Sequence, residues 1–585
     1  MWQFKLFQNF RVKHNTIVKF VHKTRLKMEN AYVRCLDGAE QFDMVMKYIN
    51  PTLGIDREFN FKRQLTEPVD TFLNRISVNI EKVINKNLKK KKFKDLAIDN
   101  KNNIKFTLDL VNEQNELINR SLTCKEVFTN NPNLRILIDN NLINVKINVP
   151  WIEKITLSHT LLCGFPTYPT KFEAYFVDKS KCIFNWYRKQ NDDWIKVGDR
   201  FFYIPTAYDV GHKLKLEVEP RNDTNIGPSV ECESTVEVKY GPTLCPFETR
   251  HQFTNNKLSE NKFRVVTYNI LADLYCDSDY TRETLYPYCP PEALDIDYRK
   301  QLILKELIGY KADLICLQEV DEKVFTYDLI PVLSELGYSG IFHKKGGTVT
   351  EGLCCLYDSN RFKNISSEVI IFGEQINKND IFIEYWRKIR TNAKLMDRVL
   401  PRTTALQVNV FESADCNNEI LVVGNTHLYF HPDADHIRLF QAGLAMTYLQ
   451  HSIEQLKLKH KDKRITLMFC GDFNSVPECG IYKLMTTGSV SEDEPDWSSN
   501  MEEQIKDLSL RQPFKMASAC GTPKFTNYTT DFADCLDYIF YQCDQVSVIQ
   551  YVPLPLLQEL TYHTALPSIV FPSDHIALIA DFQWQ

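Results

Sequence analysis

From residue 262 to the end, short apolar runs alternate with longer amphipathic ones, and that alternation limits what this half of the chain can become. FRVVTYNIL, ADLICLQEV, EGLCCLY, EILVVGNTHLYF, RITLMFCGDFN, CLDYIFY and SDHIALIADFQW read as strands, brief and rich in β-branched and aromatic residues. YRKQLILKELIGY and IRLFQAGLAMTYLQHSIEQL read as helices between them. Helices inserted between buried strands predict layered α/β packing, with residues 246–585 as one domain.

The strand-like runs share a second property: most end in an acid, an amide or an imidazole. Asn269 closes VVTYNIL, Glu319 closes ICLQEV, and His427 closes VVGNTHLY. Asp472 and Asn474 follow MFCG, Asp537 opens DYIF, and Asp574-His575 precede IALIADF. One such residue is ordinary, because carboxylates and amides cap turns. Six in one domain are harder to set aside, since a buried polar group must be paired or must coordinate something. Strand ends lying side by side would let all of them converge.

Hard oxygen donors with few histidines suit Mg²⁺, or Mn²⁺, better than Zn²⁺. The chemistry of such a set is metal-assisted hydrolysis of a phosphodiester. Asp472 and Asn474, two apart on an extended segment, are expected to face the same way. The two histidines supply donors for phosphoryl oxygens, with Asp537 or Asp574 holding an imidazole protonated. His427, His431 and His436 are not read as a zinc cluster, because Pro432 breaks a shared helical face. KKGGTVTEG lacks the GK[ST] ending of a phosphate-binding loop and is expected to form a mobile loop.

The rest of the 585 residues divides by pattern. Residues 29–148 are a mixed α/β region, and 149–245 a β-sandwich-like domain built from FEAYFV, CIFNWYR, DWIKVG, RFFYIP, KLKLEVEP and STVEVKY. Trp186 is its expected core aromatic. The first 28 residues carry seven Lys or Arg and no acid. Such a segment reads as a mitochondrial targeting sequence, or else as a frayed basic terminus. KVINKNLKKKKFK at 82–94 is a solvated face or a contact for a phosphate backbone. A net charge of −5 gives no global field for nucleic acid, so such binding must rest on local patches or bound cations. The odd cysteine count of 17 and the absence of CxxC pairs favour a reducing compartment. No apolar run is long enough to cross a membrane, and no obligate protein partner is evident.

TYNIL, LQEV, NTHLY, GDFNS, LDYI and PSDH, in that order, resemble the exonuclease–endonuclease–phosphatase family over 262–585. NILADLY, LYPYCPPEALDIDYRKQLILKEL and TNYTTDFADCLDYIF resemble its deadenylase-like branch. HLYFHPDADHIRLFQAG and the WYR…YIPTAYDVGHKLKLEVEP region extend the likeness into the β-rich segment.

The resemblance implies a four-layer α/β sandwich. It implies Glu319 as a Mg²⁺ ligand, and Asp472 as general base near the metal with Asn474 beside it. His427 and His575 would contact the scissile phosphate, Asp537 would support His575, and Asn269 would join the metal–phosphate network. Pro432 and Phe532 would sandwich an adenine, their alternative being ordinary loop packing. The substrates implied are 2′,5′-oligoadenylate and the 3′ poly(A) tail of single-stranded RNA, in the mitochondrial matrix, each giving 5′-AMP. Two rival readings are a phosphohydrolase of this fold acting on lipid, inositol phosphate or abasic DNA, and a catalytically inactive RNA-binding scaffold.

Overall fold

The computed structural model describes residues 25–26, 30–51, 55–88, 107–139 and 141–585. Apart from Arg25 and Leu26, the 1–28 segment lies outside them, as do residues 89–94 of the lysine run. The chain forms two compact units.

One unit holds the described residues up to 157, together with 169–203 and 211–237. Its first part is a six-stranded sheet in the order 55–64, 41–50, 31–35, 141–147, 135–138, 108–111. A helix at Val69–Leu88 covers it. Val69, Phe72, Leu73, Ile76, Ile80 and Ile84 recur at helical spacing and are buried with Phe42, Met44 and Phe61 of the sheet. Its second part is β-rich. Arg25–Leu26, 230–237, 213–219, 183–190 and 193–198 form one sheet in that order, and 151–157 pairs with 169–175. Strict alternation buries Leu214, Leu216 and Val218 on one face. Trp186 is wholly buried, its Nε1 donating to the Arg200 carbonyl at 2.9 Å. RFFYIP is not a strand: the chain bends there, and Phe201 turns in against Phe184 with ring centres 5.4 Å apart.

The other unit comprises 158–168, 204–210 and 238–585 and contains two six-stranded sheets. The strands of these two sheets are β1 (Lys262–Asn269), β2 (Leu314–Asp321), β3 (Tyr338–Lys344), β4 (Glu351–Asp358), β5 (Phe362–Ile371), β6 (Ala405–Ser413), β7 (Glu419–His427), β8 (Arg464–Asp472), β9 (Met516–Ser518), β10 (Asp537–Gln542), β11 (Val546–Tyr551) and β12 (Leu578–Trp584). The first sheet runs β3-β4-β2-β1-β12-β11 and the second β5-β6-β7-β8-β10-β9. Each has a single parallel pair at its centre, β1 with β2 and β7 with β8. A parallel pair needs a crossover, and a helix supplies each one: α1 (Ile296–Tyr310) and α2 (Asp435–Lys459). The remaining pairings are antiparallel.

Period-two burial makes the layers. On β7, Leu421 and Val423 point to the inter-sheet core, while Ile420 and Val422 point to the outer one. On β8, Met468 and Cys470 face inward, and Leu467 and Phe469 face outward. Phe263, Val265, Leu314, Cys316, Leu578 and Phe582 complete the inner core from the first sheet. Helix α2 and α3 (Gly480–Thr487) cover the outer face of the second sheet through Leu439, Leu449, Ile481 and Leu484. The architecture is the expected four-layer α/β sandwich.

Two buried amides lock the sheets together near one edge. Gln318 Nε2 on β2 donates to Asn425 Oδ1 on β7 at 2.8 Å, and Asn425 Nδ2 donates to the Leu317 carbonyl at 3.1 Å. All seventeen cysteines are free thiols, and no described helix is long and apolar enough to cross a membrane.

Candidate active site

Parallel strands end at the same edge, so each central pair delivers two carboxyl-terminal residues side by side. Asn269 ends β1, and Glu319 lies near the end of β2. His427 and Asp472 end β7 and β8 as a registered pair. Antiparallel neighbours begin where these strands end. Asp537, the first residue of β10, is therefore registered with Asp472, and His575 lies three residues before β12. Six of the expected residues thus converge on one edge of the sandwich, with Asn474 just beyond.

The carboxylates meet through an amide. Asn269 Nδ2 donates to Glu319 Oε1 and to Asp472 Oδ2, at 3.0 Å each. The Leu271 N–H, donating at 3.0 Å to Asn269 Oδ1, fixes the amide's orientation. Glu319 sits at φ +55°, where the β2–β4 register shifts between Leu317 and Val320. Such a bulge re-aims a side chain at a strand end, and the Ala272 N–H holds Glu319 Oε2 at 3.0 Å. Beneath these loops, Arg299 Nη1 donates to the carbonyls of Leu271 at 2.7 Å and Pro572 at 3.2 Å. Ser573 Oγ donates to the Asn269 carbonyl at 2.7 Å.

Asp472 lies between two imidazoles. His427 Nε2 and His575 Nε2 are each 3.6 Å from Asp472 Oδ2, close but too far for a hydrogen bond. His575 Nδ1 lies 2.8 Å from Asp537 Oδ2, which also accepts from Thr526 Oγ1 at 2.6 Å. The two imidazoles differ electrostatically. Burial disfavours charge on both, but Asp537 and Asp472 overcome it at His575 and hold that ring well above the ordinary histidine range. At His427 burial is joined by Lys345 and His575, which hold it well below that range. Burial pushes the Asp472 carboxyl up to about 6, with His575 opposing and Asp537 adding to the rise. It pushes Glu319 up to about 7, reinforced by Glu351 and Asp574.

That excess of negative charge fits a cation. Asp537 Oδ1 and Glu351 Oε2 are buried without a hydrogen-bond partner, and the donors gathered here are mainly oxygens. Asp472, Asp537 and His575 offer ligand atoms within 4.8 Å of one another. A charged His575 engaged by Asp537 has no lone pair to give, however, so Glu319 and Asp472, bridged by Asn269, are the better pair. The donor set suits a divalent metal ion.

Two expectations need correction or addition. Asn474 is not on an extended segment: β8 ends at Asp472, and Asn474 has φ +49°. Its backbone N–H donates to Asp472 Oδ1 at 2.9 Å and its Nδ2 to the Leu428 carbonyl at 3.0 Å. The pair is joined by a turn rather than by the strand's pleat, leaving the amide oxygen available. The KKGGTVTEG segment is not a bystander. Lys345 and Glu351, both buried, reach the site, and their signal was an acid and a lysine flanking glycines beside an apolar strand. Pro432 and Phe532 are exposed and stand outside the network, Phe532 in the turn where its carbonyl accepts from the Thr529 N–H at 2.7 Å. His431 and His436 belong elsewhere, as expected: His436 lies against Ser499 and Glu503, and His431 against Asp433.

Residues 266–575 match the Endonuclease/Exonuclease/phosphatase family, and 149–239 match the 2′,5′-phosphodiesterase 12-like N-terminal domain. The chain is 40% identical to the 2′,5′-phosphodiesterase 12 of Rattus norvegicus over 462 residues, covering 75% of this chain and 74% of that one. Against the Homo sapiens protein of that name the identity is 38% with the same coverage. It is 29% identical to the CCR4-Not complex 3′-5′-exoribonuclease subunit Ccr4 of Yarrowia lipolytica, over 55% of this chain and 48% of that one.

Proposed function

Because the chain belongs to the Endonuclease/Exonuclease/phosphatase family, we propose that it is a metal-dependent phosphodiesterase and 3′-5′ exoribonuclease. On this reading it degrades 2′,5′-oligoadenylate and shortens the poly(A) tails of RNA, releasing 5′-AMP. The observation that carries the reading is the Asp472 carboxylate, buried between two imidazoles of opposite character and bridged to Glu319 by Asn269.

Glu319 and Asp472 would hold a divalent ion, Mg²⁺ or Mn²⁺, which when bound offsets the charge of the scissile phosphate. Asp472, buried beside both imidazoles, takes the proton of the attacking water. Water adds to phosphorus as the bond to the 2′ or 3′ oxygen of the preceding nucleotide breaks, leaving 5′-phosphate on the released adenosine. His575, kept charged by Asp537, and His427 donate to the non-bridging oxygens as negative charge grows. Asn474 offers its amide oxygen to substrate or metal. Pro432 and Phe532 offer exposed apolar faces to an adenine, giving base affinity without strand pairing.

The basic, acid-free first 28 residues support a mitochondrial matrix location, and imaging of a reporter carrying them tests it. The decisive assay compares 2′,5′- and 3′,5′-triadenylate with Mg²⁺, with Mn²⁺ and with EDTA. Release of 5′-AMP from both, abolished by EDTA, is expected. Inert triadenylates alongside cleavage of inositol phosphate, sphingomyelin or abasic DNA would replace this reading.

A further inference from the structure

Lys345 stands between two groups of the site and contacts both. Its Nζ is 2.7 Å from Glu351 Oε1 and 3.0 Å from His427 Nδ1. The Lys345 and Glu351 side chains are 9% and 1% exposed. Tyr275 donates its hydroxyl to the same Glu351 oxygen at 3.3 Å. The loop carrying Lys345 is pinned as well: the Lys345 N–H donates to the Glu351 carbonyl at 3.2 Å, and the Glu322 N–H to the Thr350 carbonyl at 3.1 Å. A side chain so enclosed has no freedom to wander.

An ammonium has only hydrogens to give, so the ring nitrogen facing it must present a lone pair. Nδ1 of His427 is therefore the acceptor, and a neutral ring carries its proton on Nε2. That nitrogen is the one facing Asp472 Oδ2 across the 3.6 Å gap. The competing arrangement is close at hand, because Glu319 Oε1 lies 3.9 Å from Nδ1. Without the ammonium nothing in these contacts keeps the lone pair on Nδ1, and a ring with its proton there would turn a lone pair from Nε2 towards the Asp472 carboxylate. The donor needed by a phosphoryl oxygen would then be missing.

We propose that Lys345, held by Glu351 and Tyr275, is a positioning residue that fixes His427 in the tautomer bearing its proton on Nε2. It acts through the imidazole, by way of its contact with Nδ1. The inference rests on the functional reading above for its consequence, but not for its geometry.

Nitrogen-15 NMR of histidine-labelled protein, with H427Q used to assign the His427 signals, reads the tautomer directly. Wild type is expected to show the Nε2–H pattern, and K345M to show the Nδ1–H pattern or a mixture. Because K345M leaves Glu351 buried without its cation, K345M/E351Q serves as a folding control and should show the same change. With triadenylate, kcat of both variants should fall about 100-fold while KM stays within about threefold. In K345A, added ethylammonium should restore kcat, and tetramethylammonium at equal ionic strength should not. An unchanged His427 pattern in K345M and in K345M/E351Q overturns the proposal, as does a loss confined to KM. A wild type inert towards triadenylate would instead overturn the functional reading, with the tautomer result still standing.

Discussion

Asp472 and His575 have separable duties, and single substitutions at the site should part them. Asp472→Asn keeps the shape and loses the base, so kcat should fall about 10³-fold while RNA binding persists, measured by single-turnover hydrolysis and by filter binding. Asp537→Asn removes the anion that holds His575 charged. The imidazolium would then be lost at lower pH, and the alkaline limb of kcat/KM should move towards neutrality. At this scale the sequence was informative where a polar residue ended an apolar run, because burial leaves such a group few alternatives to function. It marked Lys345 and Glu351 only by their place flanking two glycines beside an apolar strand. Lys345 directly follows β3 and Glu351 opens β4, on either side of a glycine-containing loop. Asn474 was read as part of an extended segment, whereas the strand stops two residues earlier, at Asp472, and Asn474 is left-handed.

Among the elements, the two parallel pairs do most to set the geometry. Their residues were readable because fully buried parallel strands are continuous apolar runs with a helix between. Other elements were not: β5 is half exposed and mixes Lys, Asn and Ser with its apolar residues, and β9 is three residues long. The letters around the catalytic positions acquire separate meanings in the structure. Gln318 in LQEV and Asn425 in NTHLY tie sheet to sheet rather than act on substrate. Gly471 in GDFN permits contact between β7 and β8, since a Cβ there would lie 2.1 Å from the Thr426 carbonyl oxygen. Gly471→Ala should therefore force the strands apart beside Asp472. Calorimetry is expected to show a Tm lower by at least several degrees, and activity should fall with it.

For the molecule as a whole, the site is a store of unfavourable charge that a cation relieves. Without metal, Glu319 at about 7 and Asp472 at about 6 hold protons more tightly than they would in the unfolded chain. Their contribution to stability is complete at pH values below the ordinary carboxylate range and is lost as pH rises through 6 and 7. EDTA should therefore lower Tm markedly at pH 7.5 and little at pH 5, and E319Q should shrink the difference. Scanning calorimetry at the two pH values, with and without Mg²⁺, measures this. The layered fold was legible because two periodicities, two for strands and about 3.6 for helices, alternate along 262–585. How the two sheets lock at their functional edge was not, because it depends on pairings such as Gln318 with Asn425, 107 positions apart.

Strand β12, which follows His575, pairs with β1, the first strand of the sandwich, and Arg299 gathers carbonyls from both neighbourhoods. A ribosome would thus expose Asn269, Glu319, His427 and Asp472 long before the segment that completes them. During synthesis the growing polypeptide carries most of a nuclease without being one. Any product of premature termination upstream of Ser573 would be left with an unmatched central strand and no charged imidazole. Such a fragment cannot assemble the edge at which the other site residues meet.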